Sequence, residues 1–427
     1  MDILRQILPI AKGVGSAHGN VLRDVSPWWP RRRNKMGRKR KGIEVSLAIA
    51  DAVGQANADV IAAYPITPQT HIVEHLSELV ANGELDAEFV PVESEHSAMS
   101  VCCGSSAVGA RTFTSTSSQG LALMSEIFFI ASSMRLPMVM ALANRSLSGP
   151  LSIWNDHTDT MMVRDAGWIH VFVENGQDAY DHMFWAFRVG EDPNVLLPVA
   201  VNFDGFILTH VIEPIEYEED ETIKRYLPEF RLKNALHPDR PVSMGCFAMP
   251  EIYTEAQMAR EDGVTNAYPT IIKAWEEWGN ITGRQYHPIE TYRADDADYC
   301  IVTMGSYGET AMEVVDTLRE EGEKVGVVKI RLWRPFPFDE FQGAVLGKKA
   351  LIVIDRAISF GGPGGPVASE LRSALYKKEG APVIVNYIAG LAGRDVSRND
   401  FRNIILEGKA KAESGDTEGF ILYGLRG

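Results

Sequence analysis

Carboxylates, a guanidinium, hydroxyls and an imidazole recur in short polar runs. These are Tyr64-Pro65-Ile66-Thr67-Pro68-Gln69-Thr70, Glu93-Ser94-Glu95-His96, Ser117-Ser118-Gln119-Gly120, Asn144-Arg145 and Ser152-Ile153-Trp154-Asn155-Asp156-His157-Thr158-Asp159. Glu93 and Glu95 belong to the residue types that give or take a proton, and His157 beside Asp156 and Asp159 has the makings of a metal ligand set. Each residue also has a plainer reading. Thr67 suits a helix cap, Glu95 a first helical turn, Arg145 a nearby carboxylate, and His157 with its aspartates a hydrogen-bonded turn. Taken singly, the plainer reading is the stronger one for every residue.

What joins the runs is their position. Each follows a segment that reads as a strand of a parallel sheet, and in an open α/β sheet ligands collect beyond the carboxyl ends of the strands. Strands are expected near 59–65, 88–93, 111–116, 138–144, 169–174 and 195–203, with helix-period segments between them, as in a doubly wound sheet. Ile72, Val73, Leu76, Leu79 and Val80 repeat at helical spacing, with Thr67-Pro68 as the expected cap and first turn and Gly83 as the stop. Residues 204–296 lose this alternation and are rich in proline and acid, so they read as a long connection. A second α/β unit begins at 298–304, with strands near 325–331, 350–354 and 383–388. Its Gly305-Ser-Tyr-Gly308 turn lacks the third glycine of a dinucleotide fingerprint. Gly361-Gly362-Pro363-Gly364-Gly365 reads as a tight strand-to-helix turn, with phosphate binding at the helix N-terminus as the alternative.

The 427 residues predict two or three domains at about 150 residues each. No run of about 18 apolar residues occurs, which excludes a transmembrane helix. The net charge of −15 is uneven: residues 1–41 carry 11 basic and 2 acidic side chains, which leaves 31 basic and 55 acidic in the rest. A body this acidic repels phosphate backbones, so nucleic acid is not an expected partner. The basic segment, with Trp28-Trp29 and Arg31-Arg32-Arg33, reads as a tail whose tryptophans are a docking anchor for a partner. The chain stays basic after the arginines, against a twin-arginine export signal, and Met36 lies near an expected natural start. Cys102, Cys103, Cys246 and Cys300 form no C-x-x-C pair and no zinc or iron–sulfur spacing, which points to a reducing cytoplasm.

As a set, Tyr64-Pro-Ile-Thr-Pro68, Ser94-Glu95, Thr116-Ser117-Ser118-Gln119-Gly120, Asn155-Asp156-His157 and Phe203-Asp204-Gly205-Phe206 resemble the α subunit of the 2-oxoacid:ferredoxin oxidoreductases, most closely the pyruvate:ferredoxin type. Arg331-Leu-Trp-Arg-Pro-Phe-Pro337, Asp355-Arg356 and Gly390-Leu-Ala-Gly-Arg-Asp395 match that family's second domain, and the likeness runs from about residue 43 to the end. The resemblance implies an α/β thiamine-diphosphate-binding fold of the pyrimidine type, followed by a smaller domain like the C-terminal domain of transketolase. The expected organisation is a basic extension over 1–42, the pyrimidine-binding domain over 43–235, a linker over 236–296 and the second domain, used for docking, over 297–427.

No G-D-G motif for the diphosphate and its Mg²⁺ is present. The resemblance therefore implies a site shared with a β subunit, to which this chain brings the pyrimidine half. Glu95 is implied as the acid that hydrogen-bonds the aminopyrimidine ring, with Glu93 as its competitor, and Pro65 and Ile66 as further cofactor contacts. Thr67 and Arg145 are implied to bind the 2-oxo acid, the guanidinium being suited to a planar carboxylate. The implied reaction is oxidative decarboxylation, of pyruvate first, with coenzyme A as co-substrate. Electrons pass to [4Fe-4S] clusters on γ and ferredoxin-like partner subunits and on to external ferredoxin, in a dimer of heteromers. Gln69-Thr70 and Trp154 depart from the family pattern, which leaves phenylglyoxylate, 2-oxoisovalerate, oxalate and 2-oxoglutarate as alternative substrates. A non-catalytic scaffold subunit is the rival from another class.

Overall fold

In the computed structural model, residues 39–426 are described. The expected tail, with its tryptophan anchor and arginine run, lies outside them up to residue 38. The strands in chain order are β1 (Lys39–Glu44), β2 (Val60–Ala63), β3 (Glu88–Pro91), β4 (Thr112–Thr116), β5 (Val139–Asn144), β6 (Ile169–Phe172), β7 (Val199–Asp204), β8 (Ile212–Tyr217), β9 (Ile289–Tyr292), β10 (Tyr299–Met304), β11 (Val325–Ile330), β12 (Leu332–Arg334), β13 (Ala350–Asp355), β14 (Val383–Ile388) and β15 (Ile421–Leu422). Every residue of β4, β5, β6 and β7 is buried. They therefore show no alternation of buried and exposed positions, as strands covered on both faces must, and β4 (Thr-Phe-Thr-Ser-Thr) is buried although mostly polar.

Seven strands form the first sheet in the order β12-β6-β7-β5-β4-β2-β3, and six form the second in the order β15-β14-β13-β10-β11-β9. Within the first sheet only the edge strand β12 runs antiparallel, against β6, and within the second only β9, against β11. The α/β class and the doubly wound first sheet expected from the sequence are present. The helix between β2 and β3 differs at its start. It spans Thr70–Ala81 and is preceded by Gln69, not capped by Thr67, and the Thr67–Pro68 peptide is cis.

The stretch read as a connection is structured. Over 236–296, expected as a linker, it holds the helices Pro250–Thr265 and Tyr268–Thr282 and strand β9. Trp275 stacks on Trp185 at 4.8 Å and Trp278 on Phe184 at 5.5 Å, both partners lying on the helix Gly176–Gly190. The Trp278 indole donates to Asp181 Oδ2 at 3.0 Å. This segment thus extends the helical layer over the first sheet. Pro250, one of the prolines that suggested a connection, sits in the first turn of the first helix, and Pro269 in the first turn of the second, where the missing N–H has no cost.

A second difference concerns Arg331–Pro337, expected in the second domain. Leu332 and Arg334 pair with Val171 and His170 of β6, so these residues edge the first sheet. Arg331 ties the two units together: it ion-pairs with Asp178 of the helix Gly176–Gly190 and, at 3.0 Å, with Glu290 of β9.

Candidate functional site

Four neighbouring strands of the first sheet, β5-β4-β2-β3, end on the residues singled out from the sequence. After β3, the Ser94 hydroxyl accepts from Ser97 N at 3.2 Å and caps the helix Glu95–Ala107, which makes Glu95 its first residue. Glu95 is 7% exposed. Among the described residues no hydrogen bond or ion pair engages its carboxylate. It lies against the turn after β4: a Cβ built on Gly120 would fall 2.7 Å from Glu95 Oε1 and 2.4 Å from Thr116 Oγ1. Only glycine fits there. Thr116 Oγ1 and Ser117 Oγ, beside the same turn, are buried without hydrogen-bond partners. Glu93, by contrast, is exposed and is held by the Ser97 hydroxyl, which lowers its pKa. The two carboxylates that the sequence left in competition are thereby separated.

The loop after β2 carries Tyr64, Pro65 and Thr67 at the surface and Ile66 partly buried. Gln69, fully buried, closes this loop from inside by donating to Tyr64 O at 2.9 Å. Its side chain thus helps hold the loop's shape. After β5, Arg145 is 6% exposed. Its Nη1 donates to Thr67 O and its Nε to Ser152 O, both at 2.9 Å. Arg145 and Thr67 are therefore in direct contact through the Thr67 main chain, and burial lowers the pKa of the guanidinium.

Glu95 touches neither of them; the connection runs through Asp159, which the sequence reading placed only in a turn. Asp159 Oδ2 accepts from Ser118 N at 3.1 Å and Arg145 N at 3.0 Å, and Oδ1 from Asn144 Nδ2 at 2.9 Å and Thr160 N at 2.8 Å. Burial pushes its carboxyl up to about 7, and these donors act in the opposite direction.

The remaining motif residues gather elsewhere, between the two sheets. Asp204, at the end of β7, accepts from Asn155 Nδ2 and faces His157 Nε2, each at 3.2 Å. It also accepts from Ser306 N at 3.0 Å and pairs with Arg356. Burial works against this carboxylate, but Arg356, His157 and Ser306 together outweigh it and hold Asp204 well below the usual carboxylate range. His157 N donates to Arg356 O, Gly393 N to Asn155 O and Ala392 N to Asp156 Oδ2. Asp156 Oδ1 closes the turn onto Thr158, as the plainer reading of this loop expected. No group of three potential metal ligands exists among the described residues.

The glycine-dense loop has a similar explanation. Asp355 accepts from Val367 N at 2.7 Å and Ala368 N at 3.0 Å, so a carboxylate of the chain already occupies the helix N-terminus. A Cβ on Gly365 would fall 2.0 Å from Asp355 Cγ. The turn is tight because of this carboxylate.

Residues 51–276 match the family described as pyruvate flavodoxin/ferredoxin oxidoreductase, thiamine-diphosphate-binding, and residues 297–401 match pyruvate:ferredoxin oxidoreductase core domain II. The pyruvate synthase subunit PorA of Pyrococcus abyssi is 47% identical over 380 residues, 89% of this chain and 96% of that protein. The chain belongs to the pyruvate flavodoxin/ferredoxin oxidoreductase family. Within this family the PorA subunit of Thermotoga maritima is 45% identical over 85% of this chain and 93% of its own. The ketoisovalerate oxidoreductase subunit VorA of Pyrococcus furiosus is 42% identical over 90% and 97%. Among solved structures, a 2-oxoglutarate:ferredoxin oxidoreductase from Magnetococcus marinus shares the fold with a TM-score of 0.66 at 19% identity, covering 87% of this chain and 65% of that one. The chain is thus an oxidoreductase subunit with a thiamine-diphosphate-binding domain. No helix of the described residues is long and apolar enough to cross a membrane.

The site's chemistry fits the pyrimidine half of that cofactor. A buried carboxylate with no partner of its own, backed by a glycine that admits no side chain, is suited to a ring nitrogen that carries or gives up a proton.

Proposed function

We propose that this chain is the α subunit of a 2-oxoacid:ferredoxin oxidoreductase and supplies the aminopyrimidine-binding and substrate-gripping half of a site completed by a β subunit. The overall reaction is 2-oxo acid plus coenzyme A plus two oxidised ferredoxins giving acyl-coenzyme A, CO₂, a proton and two reduced ferredoxins. Pyruvate is the substrate proposed first, supported by the identity to the pyruvate synthase subunits. 2-Oxoisovalerate is the second, supported by the ketoisovalerate relative. The observation that carries the proposal is Glu95, buried over Gly120 without a partner among the described residues, on the strand ends that also present Arg145.

When bound, thiamine diphosphate supplies the carbon nucleophile and the electron sink for decarboxylation. Glu95 holds a proton at the aminopyrimidine ring nitrogen, with Pro65 and Ile66 as neighbouring contacts. Arg145 and the Thr67 hydroxyl orient the 2-oxo acid; the Nη1 and Nε bonds to Thr67 O and Ser152 O fix the guanidinium plane. The Mg²⁺ and diphosphate belong to the β subunit, and the [4Fe-4S] clusters to γ and ferredoxin-like subunits. Two copies of each subunit and a reducing cytoplasm complete the picture; the four cysteines are all free, in keeping with that compartment.

The test is dye reduction by the purified complex with a panel of 2-oxo acids, with and without coenzyme A, in wild type and Glu95→Gln. One acid should be oxidised, and the substitution should lower turnover by about 10² to 10⁴ while the complex stays assembled. Full activity of the substituted complex would remove Glu95 from its role.

A further inference from the structure

Asp159 is fully buried, and among the described residues no lysine or arginine side chain pairs with it. A buried carboxylate in this situation is costly unless its lone pairs are filled, and here they are filled by three main-chain N–H groups and one side-chain amide. Thr160 N lies beside Asp159 in the helix Thr158–Val163, and the other three donors come from the ends of two adjacent strands. Ser118 N opens the helix Ser118–Ser133 after β4, the turn whose Thr116 and Gly120 abut Glu95. Arg145 N and Asn144 Nδ2 come from the end of β5.

A single oxygen, Oδ2, receives both Ser118 N and Arg145 N, and the Ser118 hydroxyl donates to Ser146 O at 2.5 Å, closing the ring. Ser118 adopts a positive φ of 46°, which for serine is held only by its surroundings. We infer that Asp159 is a positioning residue that holds the Glu95-facing turn and the substrate arginine in one fixed relation. This inference rests on the proposed roles of Glu95 and Arg145. It gives Asp159 no contact with either ligand.

Asp159→Asn keeps the shape and replaces one acceptor oxygen by an NH₂ group, which cannot accept from the two N–H groups aimed at that oxygen. In the assembled complex, two quantities are read: KM and kcat for the 2-oxo acid, and the rate of hydrogen–deuterium exchange at C2 of bound thiamine diphosphate without substrate. The expected result is a KM raised about 10-fold or more together with slowed exchange, at unchanged cofactor content. A loss of thermal stability with KM and exchange both within about twofold of wild type would assign Asp159 a purely structural role and overturn the inference. Should Asp159→Asn fail to assemble, Asn144→Ala removes one of the four donors and leaves the carboxylate. It should raise KM about threefold, and no change in KM or exchange would equally overturn the inference. Arg145→Lys in the same assay separates the two levels. If it leaves KM unchanged, the substrate role of Arg145 fails. If it raises KM while Asp159→Asn does not, only the positioning role fails.

Discussion

Two sets of buried charges lie at strand ends of this molecule, and they are built differently. Between the two sheets, Asp204 meets Arg356, His157, Asn155 and Ser306, so the carboxylate's needs are met within the chain. At the ends of β3 and β5, Glu95 has no partner among the described residues, and the Arg145 guanidinium bonds there only to neutral carbonyls. Burial alone does not distinguish the two sets, since both are nearly inaccessible. Charge pairing does: Asp204 and Arg356 neutralise each other, although Arg356 Nε and Nη2 are buried without hydrogen-bond partners, whereas an unpaired charge has its partner in something that binds.

The comparison can be broken at several points. Of three further substitutions, the largest effect on turnover is expected from Gly120→Ala, whose methyl group would fall within 3 Å of both Glu95 and Thr116. Turnover should drop about 100-fold, measured by dye reduction in the assembled complex, with far less effect on its melting temperature. Asp204→Asn should do the reverse. Leaving Arg356 buried without its carboxylate costs about 3–5 kcal/mol, to be read from denaturant unfolding. The same pair sets a pH dependence. Because Asp204 has a folded-state pKa below its unfolded value of about 3.9, its contribution is fully present above that value. It is lost as pH falls toward the folded-state pKa, so the stability gap between wild type and Asp204→Asn should narrow below about pH 4. The smallest effect belongs to Glu93→Gln. Glu93 is exposed and tied to Ser97, and its loss should leave turnover within about twofold of wild type.

Much of this architecture was legible in the amino-acid sequence, for identifiable reasons. The central strands announce themselves because burial on both faces demands unbroken apolar runs such as Val139–Asn144 and Ala350–Asp355. Strand β1 was hidden because Lys39, Arg40 and Lys41 read as a charged tail. In the fold Arg40 lies opposite Glu216, and Lys41 sits 4.1 Å from the Tyr217 ring centroid. The helices over 250–282 were hidden by prolines that in fact begin them. Glu95, Thr67 and Arg145 were visible as residues following strands, and Glu95 was separated from Glu93 only by the family pattern and then by burial. Asp159 was visible only as part of a turn, since a carboxylate held by main-chain N–H groups has no partner residue to seek in the sequence.

Under the proposed function, Glu95 is an open acid whose partner is the ring nitrogen of the cofactor. The most direct measurement is the rate of hydrogen–deuterium exchange at C2 of thiamine diphosphate bound to the native complex, compared between wild type and Glu95→Gln at equal cofactor occupancy. Exchange slowed about 100-fold or more in the substituted complex is the predicted result. Exchange at the wild-type rate would mean that the acid assisting proton removal lies elsewhere.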